Sequence, residues 1–158
     1  MIIPNYAASI IKKHREVCPT CHLDFRFIFH HYEYMKKKEK IADNLILIVD
    51  DNPVIVKLLG AMLTRAGYRV ARADSGRQAL EMLESLLPDL ILLDIDMPGV
   101  SGLETCRIIK ETTRIADIPI IFVTASDDKD DIVAGFSAGA QDYIIKPSTK
   151  EELLARVR

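Results

Sequence analysis

The sequence has few cysteines, little net charge and no long apolar run, and each of these absences excludes a class of protein. Three cysteines among 158 residues cannot form a disulfide-stabilised scaffold and fit a reducing compartment. No apolar run approaches the roughly 20 residues of a membrane-spanning helix. The first residues lack the basic and apolar regions of a secretory signal, so we expect a cytoplasmic protein. A net charge of −2 argues against broad binding to nucleic acids or membranes.

The composition differs between the two ends of the chain. Residues 1–44 carry a net charge of +3 and contain all four histidines, whereas residues 45–158 carry −5 and contain all seven glycines. A lysine-rich stretch at 36–40 joins the two parts, and its charge indicates a solvated linker. The sequence therefore predicts an N-terminal extension over residues 1–43 and a folded domain over residues 44–158.

The extension contains a Cys-x-x-Cys pair whose chemistry the sequence leaves open. Cys18 and Cys21 have the spacing of zinc ligands, and two of the four histidines could complete a tetrahedral site. With His22 the pair also matches the haem-attachment pattern. That chemistry requires export, and the first residues show no secretory signal. The remaining alternative is an ordinary or disordered segment with reduced thiols.

Residues 45–158 alternate between strand and helix patterns five times. The apolar runs at 45–49 and 90–93 each end in aspartate, as expected for strands buried on both faces of a parallel sheet. Further strands are expected at 68–71, 118–123 and 142–145. The alternation predicts an α/β fold, a doubly wound five-stranded parallel sheet in the order 2-1-3-4-5, the flavodoxin-like arrangement.

Helices are expected between these strands. Apolar residues after Pro53, among them Leu58, mark the core face of the first helix. The second is expected to run from Ser75 to Pro88 with Leu87 on its core face, and the fourth over about 128–138. The chain stops inside the fifth, so the last helix is expected to be truncated.

Polar side chains follow the strands at the edge where their carboxyl ends meet. They are Asp50 and Asp51, then Asp94, then Thr124, then Lys146. Crowded carboxylates favour a hard cation such as Mg²⁺, whereas a hydroxyl and an ammonium suit phosphoryl oxygens. Asp94 ends the central strand and is the predicted nucleophile. Asp50 and Asp51 are the predicted metal carboxylates, Asp94 is also expected to contact the metal, and Asp96 is expected to offer its backbone carbonyl to it.

Four motifs in this order resemble those of the receiver domains of two-component response regulators. They are Val49-Asp50-Asp51-Asn52, the stretch 93–102 around Asp94, Val123-Thr124-Ala125, and the stretch 139–147 that ends in Lys146-Pro147. The resemblance covers residues 45–158. It implies that Asp94 is the phosphoacceptor, that Thr124 and Tyr143 form a switch pair, and that Lys146 contacts the phosphate. It also implies a cis peptide bond before Pro147.

The resemblance further implies the partners. A sensor histidine kinase or a histidine phosphotransfer protein would donate the phosphoryl group, and the repositioned surface of the fourth helix, fifth strand and fifth helix would act on an effector domain or protein, or form a phosphorylation-dependent homodimer. No helix-turn-helix fits in these residues, so no direct contact with nucleic acid is expected. The domain would phosphorylate and dephosphorylate itself without being an enzyme in the ordinary sense.

A phosphatase of the haloacid dehalogenase type is the alternative from another class. Its members also place Asp-x-Asp after a strand, as Asp94 and Asp96 do here. In that class, however, the nucleophile follows the first strand and the acidic pair follows the lysine. Here two strands precede Asp94, and Asp127-Asp128 precedes Lys146, so the receiver is the favoured interpretation.

Overall fold

Five parallel strands form a single sheet in the computed structural model, which describes residues 43–126 and 128–158. Their order is β2-β1-β3-β4-β5, as the sequence predicts. The strand bounds are β1 Leu45–Val49, β2 Arg69–Ala73, β3 Leu90–Leu93, β4 Ile120–Thr124 and β5 Asp142–Ile145.

A helix follows each of the five strands. Their bounds are α1 Pro53–Ala66, α2 Gly76–Leu83, α3 Gly102–Glu111, α4 Lys129–Ser137 and α5 Lys150–Val157. Polar side chains cap their N-termini: Ser75, for example, accepts a hydrogen bond from the backbone N–H of Gln78, and Ser101 accepts one from that of Glu104. Gly67 ends α1 at φ 100°, a left-handed conformation that favours glycine.

Alternate residues of the central strands pack against opposite layers of helices. On one side, Leu47, Leu93 and Phe122 belong to a buried cluster with side chains from α2 and α3. The intervening residues, such as Ile48 and Leu92, are equally buried and point to the opposite face of the sheet, where α1 contacts α5. The central strands are therefore buried on both faces, which explains their unbroken apolar sequences.

The structure corrects the expected length of α2. The helix ends at Leu83 instead of continuing to Pro88, and a turn follows at Glu84. The guanidinium of Arg114 donates a hydrogen bond to the carbonyl of Leu83, which satisfies one of the carbonyls left free at the helix end. Leu87 therefore does not lie on a core face, and its side chain is 57% exposed.

A smaller correction concerns α1 and the strand ends. Leu58, expected in the core, is 49% exposed. The second and fourth strands are also displaced by one or two residues from the expected ranges 68–71 and 118–123. Among the helices that the structure describes, none has the length and apolar character needed to cross a membrane.

The two leucines of the α2 region provide a test of this packing. Leu83→Ala is expected to lower the free energy of unfolding by about 2–5 kcal/mol, because Leu83 is 1% exposed and its loss leaves a cavity. The matched control Leu87→Ala is expected to change it by less than about 0.5 kcal/mol. Urea denaturation followed by circular dichroism measures both, and equal losses would contradict the observed end of α2.

Candidate functional site

The pairing of β1 with β3 brings two aspartates together at the carboxyl edge of the sheet. Val49 pairs with Leu93, so the residues that follow them, Asp50 and Asp94, leave the sheet side by side. The N–H of Asp94 donates to the carbonyl of Val49 at 2.9 Å, which extends the ladder by one bond beyond the strands. Both aspartates are buried, at 2% and 7% exposure. The sheet register thus places two largely buried carboxylates next to each other.

A third carboxylate completes an acidic cluster. Each of Asp50, Asp51 and Asp94 offers one oxygen, and the three oxygens lie within 4.8 Å of one another. An octahedral ion with ligands at about 2.1 Å separates opposite ligands by about 4.2 Å, so this spacing is close to what Mg²⁺ requires. Hard carboxylate oxygens are also the donors that Mg²⁺ prefers. The residues therefore fit a magnesium ion.

Lys146 follows the edge strand β5 and reaches this cluster at the same carboxyl edge of the sheet. Its N–H donates to the carbonyl of Thr124 at 2.7 Å, which fixes the backbone directly after β5. Its Nζ lies 2.6 Å from Oδ2 of Asp50 and 3.0 Å from Oδ1 of Asp94. The ammonium therefore offsets the repulsion between the two buried carboxylates. The Lys146–Pro147 peptide bond that follows is cis.

The two oxygens of Asp94 have different surroundings. Oδ1 accepts a hydrogen bond from the N–H of Ile95 at 3.0 Å and faces Lys146. Oδ2 accepts no hydrogen bond within the part of the chain that the structure describes. Because every buried side-chain oxygen in that part has a partner, Oδ2 is accessible to solvent. Burial raises the pKa of Asp94 above its ordinary value of 3.8, although Lys146 opposes this shift. One oxygen is thus held by the protein and the other is open to a reactant.

A cleft of about 500 Å³ opens beside this carboxylate. Its lining includes the acidic residues, Asp96 among them, together with Lys146. Apolar side chains of α1, including the exposed Leu58, also line it. A partner that delivers a group to Asp94 would therefore meet both a charged and an apolar surface.

Comparison with known proteins identifies this arrangement. A model of the response regulator receiver domain matches residues 46–158. The chain belongs to this family. It is 41% identical over 113 residues to the DNA-binding response regulator MtrA of Mycolicibacterium smegmatis, and 43% identical over 113 residues to the transcriptional regulatory protein AfsQ1 of Streptomyces coelicolor. Each alignment covers 72% of this chain, but only 48% and 49% of the relatives, so the chain spans about half their length.

Solved structures agree with this assignment. The receiver domain of a signal transduction histidine kinase from Syntrophus aciditrophicus is similar with a TM-score of 0.68 at 35% identity, over 72% of this chain and 86% of that one. The fold and the function of a phosphoacceptor module in two-component signalling are therefore confirmed. The matches do not favour the phosphatase alternative.

The two residues expected to act as the switch of this receiver domain contact the same backbone segment. Thr124 is fully buried, and its Oγ1 accepts a hydrogen bond from the N–H of Ser126 at 3.2 Å. Tyr143 is also buried, and its hydroxyl donates to the carbonyl of Ser126 at 2.5 Å. The ring of Tyr143 is therefore packed within the domain in this structure. Ser126 connects the two residues, since its N–H bonds to Thr124 and its carbonyl to Tyr143.

Sequence reasoning missed Ser126. Its side chain donates to Asp131 at 2.6 Å and accepts from the N–H of Asp128 at 3.2 Å, which ties the start of α4 to the β4 end. A serine before an acidic run is a recognisable turn signal, but its contact with Tyr143 spans 17 residues. Asp128 itself caps α4, because its side chain accepts a hydrogen bond from the N–H of Asp130.

The zinc hypothesis for Cys18 and Cys21 falls outside the described residues. It stays a prediction, which zinc analysis of the purified chain would test. Less than about a tenth of an equivalent of zinc would count against it.

The raised pKa of Asp94 makes stability depend on pH in a defined direction. A carboxyl whose pKa is higher in the folded state contributes stability that is present below its unfolded pKa and is lost as the pH rises through the folded value. With metal removed by EDTA, Asp94→Asn is therefore expected to be more stable than the parent protein at pH 7, with an advantage that shrinks toward pH 3.5. Paired thermal denaturation curves measure this difference.

The exposed Asp117→Asn, at the opposite edge of the sheet, serves as the control and is expected to show no such trend. If Asp94→Asn were less stable than the parent protein at pH 7, burial of the charged carboxylate would not be the dominant effect.

Proposed function

We propose that Asp94 accepts a phosphoryl group from a phosphohistidine and thereby forms an acyl phosphate. The observation that supports this role is the open Oδ2 of a buried carboxylate whose other oxygen faces Lys146 at 3.0 Å. In the reaction, an Oδ2 electron pair forms the new O–P bond while the P–N bond to histidine breaks and its electrons return to the imidazole. A sensor histidine kinase or a histidine phosphotransfer protein would be the donor.

Other residues of the site would stabilise the charge of this transfer. Asp50, Asp51 and Asp94 would hold Mg²⁺ with the backbone carbonyl of Asp96, and the ion would neutralise the phosphoryl oxygens. Lys146 already lies at Asp94 and would contact a phosphoryl oxygen there. Because the chain supplies all of these groups, acetyl phosphate should also label Asp94 without a kinase, and hydrolysis would return the free carboxylate.

Phosphorylation would then change the surface through Thr124 and Tyr143. A phosphoryl group places about −2 charge on Asp94. If the Thr124 side chain rotates so that its hydroxyl donates to the phosphoryl group, Oγ1 would move away from the N–H of Ser126, whose hydrogen bond it now accepts. The carbonyl of the same residue accepts from Tyr143, so the change would reach α4, β5 and α5. The modification shifts this equilibrium only by its differential stabilisation of the new state.

The output of the whole protein is proposed from its relatives. MtrA of Mycolicibacterium smegmatis is named a DNA-binding response regulator and is about twice the length of the matched segment. We expect this chain to act on a downstream effector domain or protein, or through a homodimer formed on phosphorylation, and not to contact nucleic acid itself. We also propose a cytoplasmic location and retain the division into an extension over 1–43 and a domain over 44–158.

Replacement of the proposed phosphoacceptor tests the function directly. Asp94→Asn is expected to lower labelling by acetyl phosphate with Mg²⁺ to background, because the amide cannot form the acyl phosphate. Mass spectrometry of the intact protein and its peptides measures the adduct and maps it. The control Asp117→Asn removes an exposed carboxylate elsewhere and should label like the parent protein. An adduct of undiminished yield on Asp94→Asn would place the nucleophile at another residue.

The metal requirement provides a second test. Asp51 is the exposed carboxylate of the cluster and makes no ion pair with Lys146. Asp51→Asn should therefore weaken metal binding while the Lys146 ammonium keeps its partners. We expect the Mg²⁺ concentration for half-maximal labelling to rise by about tenfold or more. Asp74→Asn, an exposed aspartate after β2 at the same edge, is the control. Identical Mg²⁺ dependence for both variants would exclude Asp51 as a ligand.

A further inference from the structure

Gly102, the first residue of α3, lies directly against the backbone of Asp94. A Cβ atom built on Gly102 would lie 1.9 Å from the Asp94 carbonyl oxygen and 2.8 Å from both the Asp94 carbonyl carbon and Cα of Ile95. All three are backbone atoms, so no side-chain rotation can relieve the contact. Gly102 does not have a positive φ, and alanine is otherwise preferred to glycine in a helix. The close approach is therefore the reason that glycine is needed.

Other contacts prevent the Asp94–Ile95 peptide from moving aside. The N–H of Asp94 is bonded to β1 through the carbonyl of Val49. The carbonyl of Ile95 accepts from the N–H groups of Gly102 and Met97 at 2.9 and 3.2 Å, and the Ile95 side chain is buried in the core. This segment is thus held by β1 on one side and by the start of α3 on the other.

We propose that Gly102 is a positioning residue for the phosphoryl transfer, an inference that rests on the proposed function of Asp94. Contact distances below 3.0 Å are essentially never seen for a real Cβ atom, so a methyl group at this position would force the Asp94 backbone and the start of α3 apart by about 1 Å and strain the bonds that hold the Asp94–Ile95 peptide. Displacements of this size in a reacting group cost about 10²-fold in rate. The carboxylate would also leave its place relative to Asp50, Asp51 and Lys146.

A second buried glycine provides a matched control. Gly76, the first residue of α2, would place a Cβ 2.2 Å from Oγ1 of Thr105 and 2.8 Å from the carbonyl oxygen of Val100. Gly76→Ala therefore creates a clash between α2 and the α3 region, with one side-chain and one backbone atom closer than 3.0 Å, but none with Asp94. Both substitutions should destabilise the fold, whereas only Gly102→Ala should alter the carboxylate.

The experiment compares the parent protein, Gly102→Ala and Gly76→Ala, each at a temperature where circular dichroism shows it folded. Labelling rates with acetyl phosphate are measured at saturating Mg²⁺, and Mg²⁺ dissociation constants by isothermal titration calorimetry. For Gly102→Ala we expect a labelling rate lower by 10-fold to 100-fold and a dissociation constant raised several-fold, while Gly76→Ala stays within about threefold of the parent in both.

Each outcome has a defined meaning. Equal rates and Mg²⁺ affinities for the two variants would overturn the positioning role. Absence of Asp94 labelling in the parent protein would instead refute the proposed function itself. If Gly102→Ala does not fold in buffer, all three proteins are compared in trimethylamine N-oxide, which favours the folded state. Failure to fold even there would assign Gly102 a purely structural role and overturn the proposal.

Discussion

The site depends on one buried electrostatic interaction, the ammonium of Lys146 between the carboxylates of Asp50 and Asp94. Two buried carboxylates at neighbouring strand ends repel each other, and a nearby cation offsets that repulsion. Lys146 is 96 residues from Asp50 in the sequence, so the interaction forms only when β1, β3, β4 and β5 are all in register. Folding of the sheet and assembly of the site are therefore the same event.

The same constraint leaves Asp94 prepared for its reaction. Its backbone is held by β1 and by Gly102, and its Oδ1 by the N–H of Ile95, while Oδ2 accepts no hydrogen bond from the described residues and Asp94 lines the cleft. Desolvation raises the pKa of the carboxyl, so the charged form is less stable here than in water. A site that disfavours an isolated charge gains from a bound cation, which connects metal binding to the reactivity of this side chain.

Much of the fold was predictable because the central strands are uninterrupted apolar runs and the helices have clear capping residues. The sheet order followed from five β-α repeats. The end of α2 was predicted wrongly because Pro88 is a strong local stop signal, whereas the carbonyl at the actual end, that of Leu83, is bonded by Arg114 from 31 residues away, a contact that no local pattern reveals. The exposure of Leu58 was also missed. The periodicity of apolar residues shows which face of a helix is apolar, but it does not show that part of this face lines an open cleft.

The sequence by itself determined the alternation of strands and helices, and which acidic, hydroxyl and ammonium side chains follow the strands, because these are local properties of composition and order. Tertiary structure decided the rest. It determined which oxygen of Asp94 stays open, that Tyr143 and Thr124 meet at Ser126, and that Gly102 touches the Asp94 backbone. These features depend on distances between separate elements, and such distances are set only when the sheet register and the helix packing are complete.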